Sequence, residues 1–358
     1  MTSSWDADAF RQAVGAALDR FVDEQAGRLE PLGDDAARLM AAARRSVSGG
    51  KRFRAAFCHW GFRAVRADVP DVPDEGALVR AASALELLHA SALVHDDYMD
   101  ASDTRRGRPS THKAFEAMHA EEGWSGSPEQ YGAAAAILLG DLLLCWSDEM
   151  LRTCGLPAAA VGEALAFFDT TRTEVITGQF LDVSVQARGE SDVEQAMRVL
   201  RYKSAKYSIE RPLHIGATLA GGSCADLAAL GAFGLPLGEA FQLRDDLLGV
   251  FGDPATTGKP AGDDLIEGKR TVLVALALDG ASPADAARLD AALGTPLSPA
   301  DVAELREIIE RSGAHAQVEQ VIGELATRAL AALDAADIDD DARGVLRELA
   351  TAVTDRVV

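Results

Sequence analysis

The stretch ALELLHASALVHDDYMDASDTRRGRP, residues 84–109, is apolar as far as Val94 except for Glu86, His89 and Ser91, and then turns abruptly to charge. Asp96, Asp97 and Asp100 come first, with Arg105 and Arg106 close behind. Residues three and four apart share a helix face, so this spacing lets the three carboxylates point into one space. Carboxylates that close repel one another: either water solvates them as an acidic turn, or positive charge sits among them. The apolar run before them reads as a core helix, which favours a site over a solvated turn. Grouped carboxylate oxygens are ligands for hard divalent cations, and Mg²⁺ completes its octahedron with waters and phosphate oxygens. Phosphates would also account for the arginines.

Working outward, apolar residues recur at helical spacing in nearly every segment. The pattern predicts helices over 5–27, 34–47, 51–67, 75–102, 110–121, 128–153, 158–187, 192–220, 225–251 and 271–279, with three or four more toward the C-terminus. Pro and Gly clusters such as DVPDVPDEG and GDPATTGKPAGDD punctuate them. No alternating strand pattern persists and no Pro/Ser-rich linker divides the chain, so the expectation is one all-α domain over residues 1–358. A net charge of −21 argues against nucleic acid or an anionic membrane as partner. The four cysteines, Cys58, Cys145, Cys154 and Cys224, are widely spaced and read as reduced thiols. The N-terminus has no signal-peptide pattern, and the longest apolar stretch is broken by Asp141. The expectation is a cytoplasmic protein with no stable membrane insertion.

A weak echo of the opening stretch lies in FQLRDDLLG, residues 241–249, where Asp245 and Asp246 again end an apolar run. Gly249 stands where a third carboxylate would fall, with Asp253 or Asp264 as possible additions. Basic residues cluster in SGGKRFR (Lys51, Arg52, Arg54), RYKSAKYS (Lys203, Lys206) and TGKPAGDDLIEGKRT (Lys259, Lys269, Arg270). Singly, each is an ordinary surface charge. Two carboxylate clusters with several basic loops are what two diphosphates would require, one held through metal and one directly. Zinc-protease, hydrolase-elbow and P-loop signatures are absent from the sequence.

These motifs, in this order, resemble the trans-type isoprenyl diphosphate synthases, or polyprenyl synthetases. GGKRFR, DDYMD followed by RRGRP, and FQLRDDLLG with GKPAGDDLIEGK carry the resemblance. It implies an all-α bundle around a deep central cavity, usually homodimeric. By resemblance Asp96, Asp97, Asp100 and Asp245, with Asp246, would hold about three Mg²⁺ ions on an allylic diphosphate. Arg105, Lys203, Lys259 and Lys269 would contact that diphosphate, while Lys51, Arg54, His89 and Arg106 would bind isopentenyl diphosphate. Gln242 and the backbone near Lys203 and Ser204 would steady an allylic cation. Gln179 and Asp182 would form a polar wall opposite the metals. The allylic partner would be dimethylallyl, geranyl or farnesyl diphosphate.

Product length should depend on the turns before Asp96. Ser91 and Ala92 are small there, and the aspartate motif has no two-residue insertion. The expectation is geranylgeranyl diphosphate, with farnesyl or longer products as alternatives, and a phenylalanine at Ser91 would shorten the product. A terpene cyclase of the same helical class is a rival. Its second motif asks for a hydroxyl residue and a glutamate where this chain has Gly249 and Asp253. A non-catalytic synthase subunit is another, but such a chain should have lost some of these aspartates and cations.

Overall fold

The computed structural model describes residues 5–65, 74–253 and 262–355. These are α-helical apart from turns, loops, one 3₁₀ turn (Glu30–Leu32), one π-helical segment and one short β ribbon. Their contacts group into two compact units: Met1–Ala166 with Ile215–Gly221, and Phe167–His214 with Gly222–Val358. Each is described by itself, and the single domain over residues 1–358 stays an expectation beside this division.

The first unit holds α1 (Ala7–Leu29), α2 (Asp34–Val47), α3 (Phe53–Ala64) and α4 (Glu75–Met99), then β1 (Thr104–Arg105) and β2 (Arg108–Pro109), then α5 (Thr111–Glu121) and α6 (Pro128–Arg152). Asp74 starts α4 by accepting the Gly76 N–H at 3.0 Å. Leu85, Leu87 and Leu88 are essentially inaccessible, and burial of each contributes roughly 1.5–3 kcal/mol. The helix is long and apolar enough to cross a bilayer, yet 78% of its most apolar window is buried inside the fold, as in a core helix. It leans on α6 through polar contacts at two levels, one turn apart. Ser91 Oγ donates to Gly140 O at 2.7 Å, and His95 Nε2 lies 3.3 Å from Ile137 O.

The ribbon after α4 was not expected from the sequence. Thr104 pairs with Pro109 and Arg105 with Arg108, and the two residues between, Arg106 and Gly107, both have positive φ (53° and 71°). A two-residue hairpin whose centre is left-handed matches the twist of its strands, and Gly107 takes such a φ without penalty. The turn separates two adjacent arginines, so they can serve different partners.

Helix α7 (Ala158–Arg188) belongs to the second unit from Phe167 onward. α8 (Val193–Leu200), the π-helical segment Arg201–Glu210 and α9 (Arg211–Leu219) replace the single helix expected over 192–220. The widened turns show where Arg211 N–H reaches back five residues to Lys206 O. Close approach accompanies them: a Cβ on Gly178 of α7 would overlap the backbone of Lys203. α10 (Cys224–Phe251), α11 (Asp263–Ile266), α12 (Val272–Gly280), α13 (Pro283–Ala292), α14 (Pro299–Ser312), α15 (Ala314–Ala335) and α16 (Asp340–Thr354) follow. The core of this unit is α12, whose Leu273, Val274 and Ala275 are fully buried against Leu243 and Leu247 of α10 and Ile309 of α14.

His214 of α9 is held neutral in this unit. Its Nε2 lies 3.0 Å from Leu227 O, and Arg211 Nη1 faces its Nδ1 at 3.3 Å. Burial first, then the Arg211 charge, lower its pKa to about 4. Between that value and the ordinary 6.5 the unfolded chain binds a proton that the folded chain refuses, so stability falls as pH falls through this window. The expected size is ~3 kcal/mol at most. Urea unfolding of the wild type and His214→Gln from pH 7 to pH 4 checks it: the stability advantage of the wild type should shrink across that range. A constant difference would contradict the assignment.

Candidate active site

In the first unit α4 ends at its aspartates. Asp100 N–H donates to Asp96 O at 2.8 Å, Ala101 turns left-handed, and Ser102 N–H closes on Asp97 O at 2.9 Å. The hairpin then returns Arg105 to the helix end. Arg105 Nε donates to Asp97 Oδ1 at 2.8 Å, Nη2 bonds the same oxygen, and Nη2 is 4.0 Å from Asp96 Oδ2. Asp97 is 3% exposed, so this guanidinium compensates a buried carboxylate. Asp96 and Asp100 are half-buried beside it.

Arg106 points the other way. Its Nη1 donates to Ser48 O at 2.6 Å, in the loop that leads through Gly49 and Gly50 to Lys51. Gly50, at φ 93°, lets the guanidinium come close: an added Cβ would sit 3.2 Å from Nη2. His89 on α4 shares this region. Burial, then the charges of Arg54, Arg106, Arg105 and Arg52, hold its pKa well below the usual imidazole value. Burial and the neighbouring arginines also lower Arg106. A neutral histidine within a crowd of arginines marks a region of concentrated positive potential, suited to an anion.

Ser91 and Ala92 differ in their surroundings. Ser91 is 2% exposed and engaged with Gly140, so its small size serves the packing of α4 on α6. Ala92 is half-buried.

The second unit gathers Lys203, Ser204, Gln242, Asp245, Asp246 and Lys269. Lys203 Nζ donates to Asp182 Oδ2 at 2.6 Å, which joins the π-helical segment to α7. Ser204 Oγ bonds Gln242 Oε1, and Gln242 Nε2 donates to Asp246 Oδ1 at 2.8 Å. Gln242 is therefore a bridge from the π-helical segment to the second aspartate pair. Asp246 is buried, and burial followed by the nearby Asp264 carboxylate raises its pKa to about 8. Asp264 comes from α11, where Lys269 Nζ lies 3.7 Å from it and 2.5 Å from Glu267. A Cβ on Gly249 would overlap this carboxylate, so Asp264 occupies the space a third aspartate of α10 would need. Lys259 lies outside the described residues.

Among the described residues no three Asp, Glu, His or Cys side chains form a closed metal cage. The donors are hard carboxylate oxygens, and Mg²⁺ ordinarily takes one or two of these and completes its shell with water and phosphate. The donor chemistry of Asp96, Asp100 and Asp245 fits that pattern. Two residues that the sequence reading left without a role gain contacts here. Arg52 pairs with Glu86, and the clue was a glutamate inside an apolar run, three residues before His89.

In the first unit a helix ends in carboxylates beside arginines, and in the second an aspartate pair stands near a lysine; these define a class of all-α proteins whose donors suit hard cations and anions. Residues 36–311 match the family described as polyprenyl synthetase, and the chain belongs to that family, a family of prenyltransferases. A short-chain isoprenyl diphosphate synthase of Methanothermobacter thermautotrophicus is 34% identical over 318 residues, 89% of this chain and 90% of that one. Geranylgeranyl diphosphate synthase of Mycobacterium tuberculosis is 34% identical over 288 residues, 80% of this chain and 75% of that one. The crystal structure of geranylgeranyl pyrophosphate synthase from Corynebacterium glutamicum, complexed with isoprenyl diphosphate and magnesium, superposes with a TM-score of 0.96 at 44% identity. That comparison covers 99% of this chain and 100% of the other. The activity is trans-prenyl transfer between isoprenyl diphosphates.

Proposed function

We propose that the chain condenses isopentenyl diphosphate head to tail with an allylic diphosphate and releases geranylgeranyl diphosphate, acting as a cytoplasmic homodimer. The observation that carries the site reading is the division of labour at the end of α4: Arg105 serves the aspartates, and Arg106 serves the loop that carries Lys51. That is an arrangement for two anions, one approached through carboxylates and one through cations alone. A cyclase, with a single diphosphate, would have no use for the second.

Asp96, Asp97, Asp100, Asp245 and Asp246 are the candidate holders of about three Mg²⁺ ions, which when bound supply positive charge to the departing allylic diphosphate. Arg105, Lys203, Lys259 and Lys269 add fixed positive charge to the same leaving group. As the allylic C–O bond breaks, its electrons leave with the diphosphate. Lys51, Arg54, His89 and Arg106 hold isopentenyl diphosphate so that its alkene electrons form the new C–C bond. The proton lost from the resulting cation passes to the released diphosphate, so no strong base is needed. Ser204, held by Gln242, presents polar atoms that steady the cation.

Geranylgeranyl diphosphate is favoured because Ala92 leaves room before the aspartates. Ala92→Phe should shorten the main product by at least one isoprene unit. Ser91→Phe must instead push α6 away at Gly140, with an overpacking cost of roughly 1–3 kcal/mol. Chromatography of dephosphorylated products, with thermal melts of both variants, tests the pair. An unchanged product from Ala92→Phe would remove Ala92 from the tail path. The whole proposal is tested by incubating the purified protein with Mg²⁺, isopentenyl diphosphate and each allylic primer. Absence of isopentenyl-dependent condensation with every primer would overturn it.

A further inference from the structure

Arg52 begins α3 in an unusual state: φ is 57°, its side chain is 8% exposed, and as N-cap it supplies no side-chain hydrogen bond. A non-glycine residue in the left-handed region costs on the order of 1 kcal/mol and persists where surrounding contacts hold it. Those contacts are specific. Arg52 Nη2 donates to Val47 O at 2.5 Å, at the end of α2, and Nη1 lies 3.3 Å from Glu86 Oε2. Glu86, 5% exposed on α4, accepts the Ala55 N–H with its other oxygen at 3.1 Å, capping α3 from a different helix. One buried ion pair thus ties both ends of the SGGK loop to α4. Lys51 and Arg54 flank Arg52 in the chain, and His89 stands three residues beyond Glu86 on the same helix face.

We infer that Arg52 and Glu86 are positioning residues for isopentenyl diphosphate: their ion pair fixes Lys51 and Arg54 against His89. The inference rests on the assignment of Lys51, Arg54, His89 and Arg106 to that substrate. Charge alone would act in the opposite direction. Glu86 is a carboxylate paired with Arg52 and close enough to Arg106 for its charge to be felt there, so neutralising it raises the local positive potential and should tighten an anion. A positioning role says that binding loosens, because the amide introduced by Glu86→Gln has one acceptor for two donors, so either Arg52 or the Ala55 N–H loses its partner and the loop is released.

Isopentenyl diphosphate does not react without an allylic partner, so its affinity can be measured directly by calorimetry on the intact protein. Glu86→Gln should weaken its Kd about tenfold or more, with the KM of the allylic substrate changed less than about twofold and kcat at saturation little altered. Arg52→Met/Glu86→Met replaces the pair by apolar side chains and should keep the melting temperature, since a buried ion pair is often no more stabilising than good packing. It should show the same loss of affinity, and Arg52→Lys should retain part of the wild-type affinity. Unchanged or tighter binding in Glu86→Gln, or an equal loss for both substrates, would overturn the inference. Arg54→Gln and Arg106→Gln separate the two levels. If neither affects isopentenyl diphosphate binding, the substrate assignment itself is wrong; if they weaken it and the Glu86 and Arg52 variants do not, only the positioning role falls.

Discussion

Asp96→Asn should lower kcat/KM by about 10³-fold, equivalent to roughly 4 kcal/mol of lost transition-state stabilisation. The same change should leave the melting temperature level or slightly raised. Asp96 is one of three carboxylates within five residues, and the Arg105 guanidinium stands 4.0 Å from it while bonding Asp97 more closely. Removing one negative charge from this group relieves repulsion in the folded protein while it removes a charge that the reaction uses. Stability and activity then move in opposite directions, as is common at functional sites. Asp103→Asn is the matched control. Asp103 is exposed and faces Lys113 at 3.7 Å, a surface pair worth little. It changes the net charge of the same segment by the same amount and should leave kcat/KM within about twofold. Steady-state kinetics with thermal melts of the two variants decide the matter. Asp96→Asn activity within about tenfold of wild type would place the acidic cluster outside the chemistry.

The sequence made α4 and its aspartates legible because both signals are local. An apolar run followed by carboxylates at helical spacing needs only neighbouring residues to be read. The helices over 34–47, 75–102, 128–153 and 225–251 followed from the same periodicity, and the structure ends them within about three residues of those limits. What escaped was either too short to form a pattern or depended on contacts between distant segments. The β ribbon has two-residue strands, too short to alternate, and Gly107 was its one local sign. Apolar spacing runs unbroken through 192–220, so nothing in it announces the π-helical turns that accompany the close packing at Gly178. Ser91 looked like empty space because it is small, whereas its hydroxyl is committed to Gly140. The pairing of Arg52 with Glu86 joins residues 34 apart, beyond any helical pattern. The residue types of the candidate site stand in the sequence itself; which residue contacts which could not be read there.

Gly249→Asp is the second large effect, and its direction runs against the motif. Adding the third aspartate that the pattern of the first cluster suggests looks like completion of a cluster. Here the position is already filled, because a Cβ on Gly249 would overlap the Asp264 carboxylate. Asp264 cannot retreat without cost: its backbone carbonyl accepts the Lys269 N–H at 2.9 Å, and Lys269 Nζ lies 3.7 Å from its side chain. A new carboxylate would also stand near Asp246, whose pKa burial and Asp264 already lift to about 8. Overpacking costs roughly 1–3 kcal/mol, which in a protein of this size lowers the melting temperature by several degrees. Displacement of Asp264 and Lys269 together should reduce kcat/KM about 10²-fold. Gly249→Asp/Asp264→Gly moves the carboxylate from one segment to the other at constant charge and removes the overlap. Its melting temperature should return most of the way to wild type, and its activity should exceed that of Gly249→Asp alone. The two single variants and the double variant form a cycle, and contact between the two positions requires a coupling above about 1 kcal/mol. If Gly249→Asp alone melts and turns over like wild type, Asp264 is not fixed in that space, and the second cluster is completed by some other carboxylate.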